Sequence, residues 1–275
     1  HSLSYLETET PTASLSLFQP GPFHFSVNRI RYVEHWLGST TNGSTDATGT
    51  AARFNQPRIP CIATDTGLLF LPDYNNHKIR KADSAGVVTT FTGSGTASST
   101  DGTGTAATHR SPVALTVDTT NTNMYCSDYS SHVLRLIVLS SAAVTTFAGT
   151  YNSWGTTDAT GAAARFNTPR GSVFAASTTP LYLCDRYNHR IRAVTTPGAV
   201  VTTWAGTSLG FADGTGTTSV QFNLPIDAAY DATNAAMLIS DTDNDRIRRA
   251  TVPGAAVTSP LGDGTGAVLD GVGTS

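Results

Sequence analysis

The chain has 275 residues, of which 17 are Lys or Arg and 20 are Asp or Glu, giving a net charge of −3 at neutral pH. It has no Lys/Arg block of the kind that forms a nucleic-acid-binding face, and no apolar run approaches the roughly 20 residues of a membrane-spanning helix. Charged residues are only 13% of the chain while Gly, Ser and Thr abound, a balance that suits turn-rich β structure and disfavours surface helices.

Residues 1–38 depart most from the rest. The segment "ETETPTASLSLFQPGPF" is rich in Thr and Pro, and the apolar residues Leu3, Tyr5, Leu15, Leu17, Phe23 and Phe25 alternate with others as in a strand with one buried face. From Asn28, "NRIRYVEHWLG" carries the tail of a pattern that recurs downstream. Residues 1–38 therefore read as a degenerate N-terminal blade or a strand-donating extension. The chain opens on His1 rather than Met, and the expectation is a processed, secreted protein, extracellular or at the cell surface. Asn42-Gly43-Ser44 is an acceptor sequence for N-glycosylation, placing a glycan on Asn42 if the source glycosylates.

Beyond residue 38 the chain repeats itself. Glycines closing a VTTFAG-like segment stand at Gly38, Gly93, Gly149, Gly206 and Gly262, 55 to 57 residues apart. Each is followed by an acidic, glycine-rich loop containing Asp46, Asp101, Asp158, Asp213 or Asp270. The full repeats are 39–93, 94–149, 150–206 and 207–262, and residues 263–275 begin a unit that does not finish. A period of this length marks a supersecondary unit stacked on copies of itself.

Within a repeat, short β-branched and aromatic runs are separated by Gly, Pro, Asn and Asp. In 150–206 the predicted strands are 172–176, 180–184, 189–194 and 200–205. Four antiparallel strands per repeat make one blade of a β-propeller. The predicted fold is all-β, with five blades preferred and six as the alternative.

The order "DATGAAARFNTP", then a strand, then "LYLCDRYNHRIR", then "VTTWAG" resembles the NHL repeat, and the likeness runs from Asn28 to Ser275. It implies a propeller. Two columns recur in register: Arg31, Arg80, Arg135, Arg192 and Arg248, and, at the end of the preceding strand, Asp73, Asp128, Asp185 and Asp241. A catalytic group is needed once whereas a strand-end tie is needed in every blade, so both columns are read as scaffold, with each carboxylate taking backbone N–H groups or a guanidinium fork. His77, His132 and His189 belong to the same set and are expected to hydrogen-bond in turns.

No HExxH is present, and Glu7, Glu9 and Glu34 are the only glutamates. Cys61, Cys126 and Cys184 are scattered singly, as buried small hydrophobes rather than a disulfide or zinc framework. No catalytic residue, cofactor or metal site is predicted; a weak cation site at the acidic loops is the minor alternative. The expected function is a non-enzymatic extracellular module. It would bind another extracellular protein or further copies of itself, joined through its termini into a fibre, with attached glycans and no nucleic acid. The alternatives are a propeller lyase or hydrolase, or a carbohydrate- or ligand-binding sensor domain.

Overall fold

The computed structural model describes residues 36–175 and 180–264. Arg31, Asp270, the unfinished unit from 265 onward and all but the last residues of the N-terminal unit lie outside the described residues. So does the end of the strand expected at 172–176.

The described residues form four antiparallel sheets. The first contains β1 (Ala47–Thr48), β2 (Cys61–Ala63), β3 (Leu68–Asp73), β4 (Lys78–Ala82) and β5 (Val87–Thr92). The second contains β6 (Gly102–Thr103), β7 (Pro112–Val117), β8 (Asn123–Asp128), β9 (Val133–Val138) and β10 (Ala143–Ala148). The third contains β11 (Ala159–Thr160), β12 (Pro169–Phe174), β13 (Leu181–Asp185), β14 (Arg190–Val194) and β15 (Val200–Ala205). The fourth contains β16 (Gly214–Thr215), β17 (Pro225–Asp231), β18 (Ala236–Asp241), β19 (Arg246–Thr251) and β20 (Ala256–Leu261). The inner strands β2, β7, β12 and β17 lie side by side, with Ile59 and Ala114 bridged in parallel, so the sheets are consecutive blades of a β-propeller.

Each sheet has five strands where the sequence predicted four. The crossover loop meets the coming blade first at its outer edge, adding two residues there before turning inward: β1 pairs with β5, β6 with β10, β11 with β15 and β16 with β20. Two residues are too short to show a period, and the pairing covers an edge that would otherwise be open. In the third blade the strand expected from 189 begins at Arg190, because His189 closes the turn at φ 56°.

The core lies between blades. Phe70 and Ile79 of the first pack with Met124, Ile137 and Val144 of the second. Tyr125 and Leu134 meet Phe166, Leu181 and Val201, and Tyr182 and Ile191 meet Phe222, Met237 and Val257. The second and third blades thus bury both faces against neighbours, which is why isolated repeats would not suffice.

The marker glycines have a steric cause. Gly93, Gly149 and Gly206 have φ of 92–100°, and a Cβ on them would come within 2.6–2.7 Å of the carbonyl oxygen of His77, His132 and His189. The strand end crosses directly over the turn, and only glycine fits there.

Candidate functional site

The arginine column is buried in all four described blades: Arg80, Arg135, Arg192 and Arg248 are inaccessible to solvent. A β-bulge opposite or next to the arginine sets its position. Arg80 pairs with Thr90 and Ile79 with Thr92, leaving Phe91 as the extra residue. Nη1 of Arg80 donates to Asp73 Oδ2 at 2.9 Å and to the Arg53 carbonyl at 2.9 Å, while Nη2 donates to Asp46 Oδ1 at 2.5 Å and the Thr45 carbonyl at 2.9 Å. The same fork joins Arg135 to Asp128 and Asp101, Arg192 to Asp185 and Asp158, and Arg248 to Asp241 and Asp213. The phenyl rings of Phe54, Phe166 and Phe222 cap the guanidinium at 5.2–5.4 Å in the first, third and fourth blades.

The acidic loops are therefore held by arginine: the Asp46, Asp101, Asp158 and Asp213 carboxylates each face a guanidinium. Burial works to raise the Asp46 carboxyl, but the Thr90 amide and Arg80 outweigh it and hold the group below the usual carboxylate range. Asp158 is lowered in the same way by Thr203 and Arg192. The strand-end carboxylates are deeper. Asp73 accepts from the Asn55 N–H at 2.7 Å and from Asn76 Nδ2 at 2.8 Å, and Asp185 and Asp241 repeat this with Asn167/Asn188 and Asn223/Asn244.

The histidines join one blade to the next. Nδ1 of His77, His132 and His189 accepts the backbone N–H of Ser111, Thr168 and Leu224, at 3.1, 3.0 and 3.2 Å. Each histidine is half-buried with φ of 55–61°, and burial lowers all three pKa values.

The second blade breaks the pattern. His109 stands where the others have Phe and is fully buried. Its Nδ1 lies 3.0 Å from Asp128 Oδ1 and its Nε2 lies 2.9 Å from Thr92 Oγ1 of the first blade. Cys126 Sγ donates to the same Asp128 at 3.6 Å. His109, Cys126 and Asp128 bring their ligand atoms within 4.8 Å of one another. Arg135 already holds Asp128 at 3.1 Å, and burial drives the Cys126 thiol far above its ordinary pKa, so this is a hydrogen-bonded latch between blades. Cys61, Cys126 and Cys184 are free thiols, the last two buried.

Residues that differ between blades gather on the face carrying the turns and crossover loops. Arg58 follows the motif proline, Arg170 holds the same position in β12, and Val113 in β7. Tyr74, Tyr129 and Arg186 follow the strand-end aspartates. These six line a pocket of about 220 Å³ spanning three blades. The Arg58 guanidinium lies 4.8 Å from the Tyr74 ring centre and Arg170 lies 5.9 Å from Tyr129, while Arg186 Nη1 reaches the Tyr129 hydroxyl at 3.4 Å. No periodic rule marks these positions; the signal in the sequence is that Arg58 and Arg170 occupy a column where the other blades have Val113 and Ile226. On the same face Tyr151, Trp154, Leu209 and Phe211 of the crossover loops and Tyr187 of a turn are exposed, and Asn42 stands in an exposed loop.

No family model matches the chain, and no curated protein matches it significantly. Solved structures do. An auxiliary nutrient binding protein from Bacteroides thetaiotaomicron superposes with a TM-score of 0.63 at 19% identity, over 79% of this chain and 54% of that one. Its counterpart from Bacteroides ovatus gives 0.62 at 20% identity, over 79% and 55%. A streptogramin B lyase gives 0.52 at 13% identity, over 79% and 56%. The chain spans about half the length of these structures, and the likeness is one of fold.

Proposed function

We propose that this chain is a non-enzymatic binding module of NHL-repeat type, extracellular, which presents its loop-bearing face to a protein partner or to further copies of itself. One observation carries the reading. The charged residues that recur in every described blade are consumed in ties to buried arginines, whereas the residues that vary include large exposed side chains, with Trp154 67% and Leu209 60% accessible. Exposed aromatic and aliphatic groups on loops held by a rigid scaffold are the usual makings of an interaction surface. Two similar structures bear a binding description, which agrees with this reading. The exposed Asn42 suits a chain that meets a glycosylating compartment.

The test is Trp154→Ser and Leu209→Ser. Both substitutions alter only the surface and are expected to change stability by less than about 0.5 kcal/mol, while weakening self-association in sedimentation velocity or retention of a partner from extracellular fluid on the immobilised chain. Association and retention that match the unsubstituted chain in both variants would sink the reading.

A further inference from the structure

The pocket formed by Arg58, Arg170 and Arg186 holds an imbalance of charge. Among the described residues the ion pairs involve Arg80, Arg135, Arg192, Arg248 and His109; none of the three pocket arginines has a carboxylate within pairing distance. Tyr74 and Tyr129 offer ring faces and a hydroxyl, and the Asp227 carboxylate acts on Arg170 only from beyond pairing distance. The Nε groups of Arg170 and Arg186 are buried without a hydrogen-bond partner, as are those of the scaffold arginines Arg80, Arg135, Arg192 and Arg248. Burial, then the charges of Arg186 and Arg58, depress the pKa of Arg170, as expected where like charges converge.

We propose that this pocket binds a tetrahedral oxyanion, presented as a sulfate or phosphate monoester. The guanidinium groups of Arg58 from the first blade and of Arg170 and Arg186 from the third line one pocket, and their several donors match an anion with three free oxygens better than a flat carboxylate with two. The two tyrosine rings, with centres 6.3 Å apart, flank the same space and offer apolar surface to the organic part of the ester. A pocket of about 220 Å³ holds one such group and the atoms next to it. The basic residues form one point rather than a row, and the chain as a whole is acidic, so a single ester is favoured over a nucleic-acid backbone. This assignment rests on the reading of the loop-bearing face as a binding surface.

Calorimetric titration of the whole chain with sodium sulfate, sodium phosphate and sodium acetate at matched ionic strength tests it. Saturable binding of sulfate or phosphate is expected, with acetate weaker. Glucose 6-sulfate and glucose 6-phosphate then distinguish the two sources, the tighter of them identifying the ester. Arg170→Gln should weaken binding by about tenfold or more. Arg58→Gln, at an exposed residue, should do so with an unchanged melting temperature. An absence of saturable binding by either oxyanion, acetate binding as tightly, or undiminished binding in the folded Arg58→Gln protein each overturns the assignment. If the unsubstituted chain binds no oxyanion while Trp154→Ser still loses association, the oxyanion site fails and the interaction surface stands. If oxyanions bind while Trp154→Ser and Leu209→Ser change nothing, the reverse holds.

Discussion

Arg192 and Asp185, seven residues apart on adjacent strands, form an ion pair at 2.7 Å that solvent does not reach from either side. The second guanidinium nitrogen crosses to Asp158 at 2.5 Å in the incoming loop, so one side chain ties the second and third strands of the blade to the crossover that precedes them. Replacing a buried pair as a unit can cost little, but removing one partner strands the other's charge.

Arg192→Ala is therefore expected to destabilise the chain by about 3–5 kcal/mol, because Asp185 is left with only the Asn167 and Asn188 donors. Arg192→Lys should rescue only part of this, since an ammonium cannot span both carboxylates as a planar fork does. Denaturant midpoints of the two variants give the comparison, and a near-normal midpoint for Arg192→Ala would show that the tie is dispensable.

The contribution of the turn histidines to stability should fall as pH drops below about 6.5. His77, His132 and His189 each accept a backbone N–H on Nδ1, and their folded pKa values lie below the ordinary value. A base depressed in the folded state contributes stability that is fully present above its unfolded pKa and is lost as pH falls through the folded one. Charged groups nearby modulate the threshold: Asp128 raises His77 while Arg110 and His109 lower it, Arg110 lowers His132, and Asp241 and Asp243 raise His189 against Arg186. Asn at all three positions keeps an acceptor at the Nδ1 site and tolerates the left-handed backbone. Melting temperatures from pH 8 to 5 should slope less for the triple His→Asn protein than for the parent; equal slopes would assign the acid sensitivity elsewhere.

His109→Phe restores the residue that three described blades carry, yet it should destabilise by about 1–3 kcal/mol. The substitution removes the donor to Asp128 Oδ1 and the partner of Thr92 Oγ1, both buried. In the first blade Asp73 Oδ1 is served by the backbone N–H of Asn55, whereas in the second His109 serves Asp128 Oδ1 through its side chain. Equilibrium unfolding of the single variant decides it: a gain in stability would mean that the consensus phenylalanine suits this blade as well.

The strand-end aspartates and the arginines were legible as columns, since a role needed in every blade leaves its mark at every period. Their bonding was only half legible. Asp73 and Arg80 lie close in sequence, but Asp46, which takes the other half of the fork, is 34 residues before Arg80 and reaches it through the crossover. The histidine bonds are likewise made to the next blade, so only their turn position could be read. His109 carries no mark in the sequence, because Thr-His-Arg replaces Arg-Phe-Asn without disturbing the spacing.

By itself the sequence determined the all-β character, the period, the turns and the columns. Each follows from local chemistry: β-branched runs favour strands, glycine alone fits the strand crossing, and repetition makes each demand visible four times. Only the tertiary structure decided what the unrepeated residues do. Arg58, Arg170 and Arg186 are separated by more than a hundred residues at the widest, and stacking of successive blades brings their side chains to one pocket. The fifth strand and the His109 latch have the same origin. They depend on contacts between repeats, where the energy comes from packing and charge across space, and no period along the chain records such contacts.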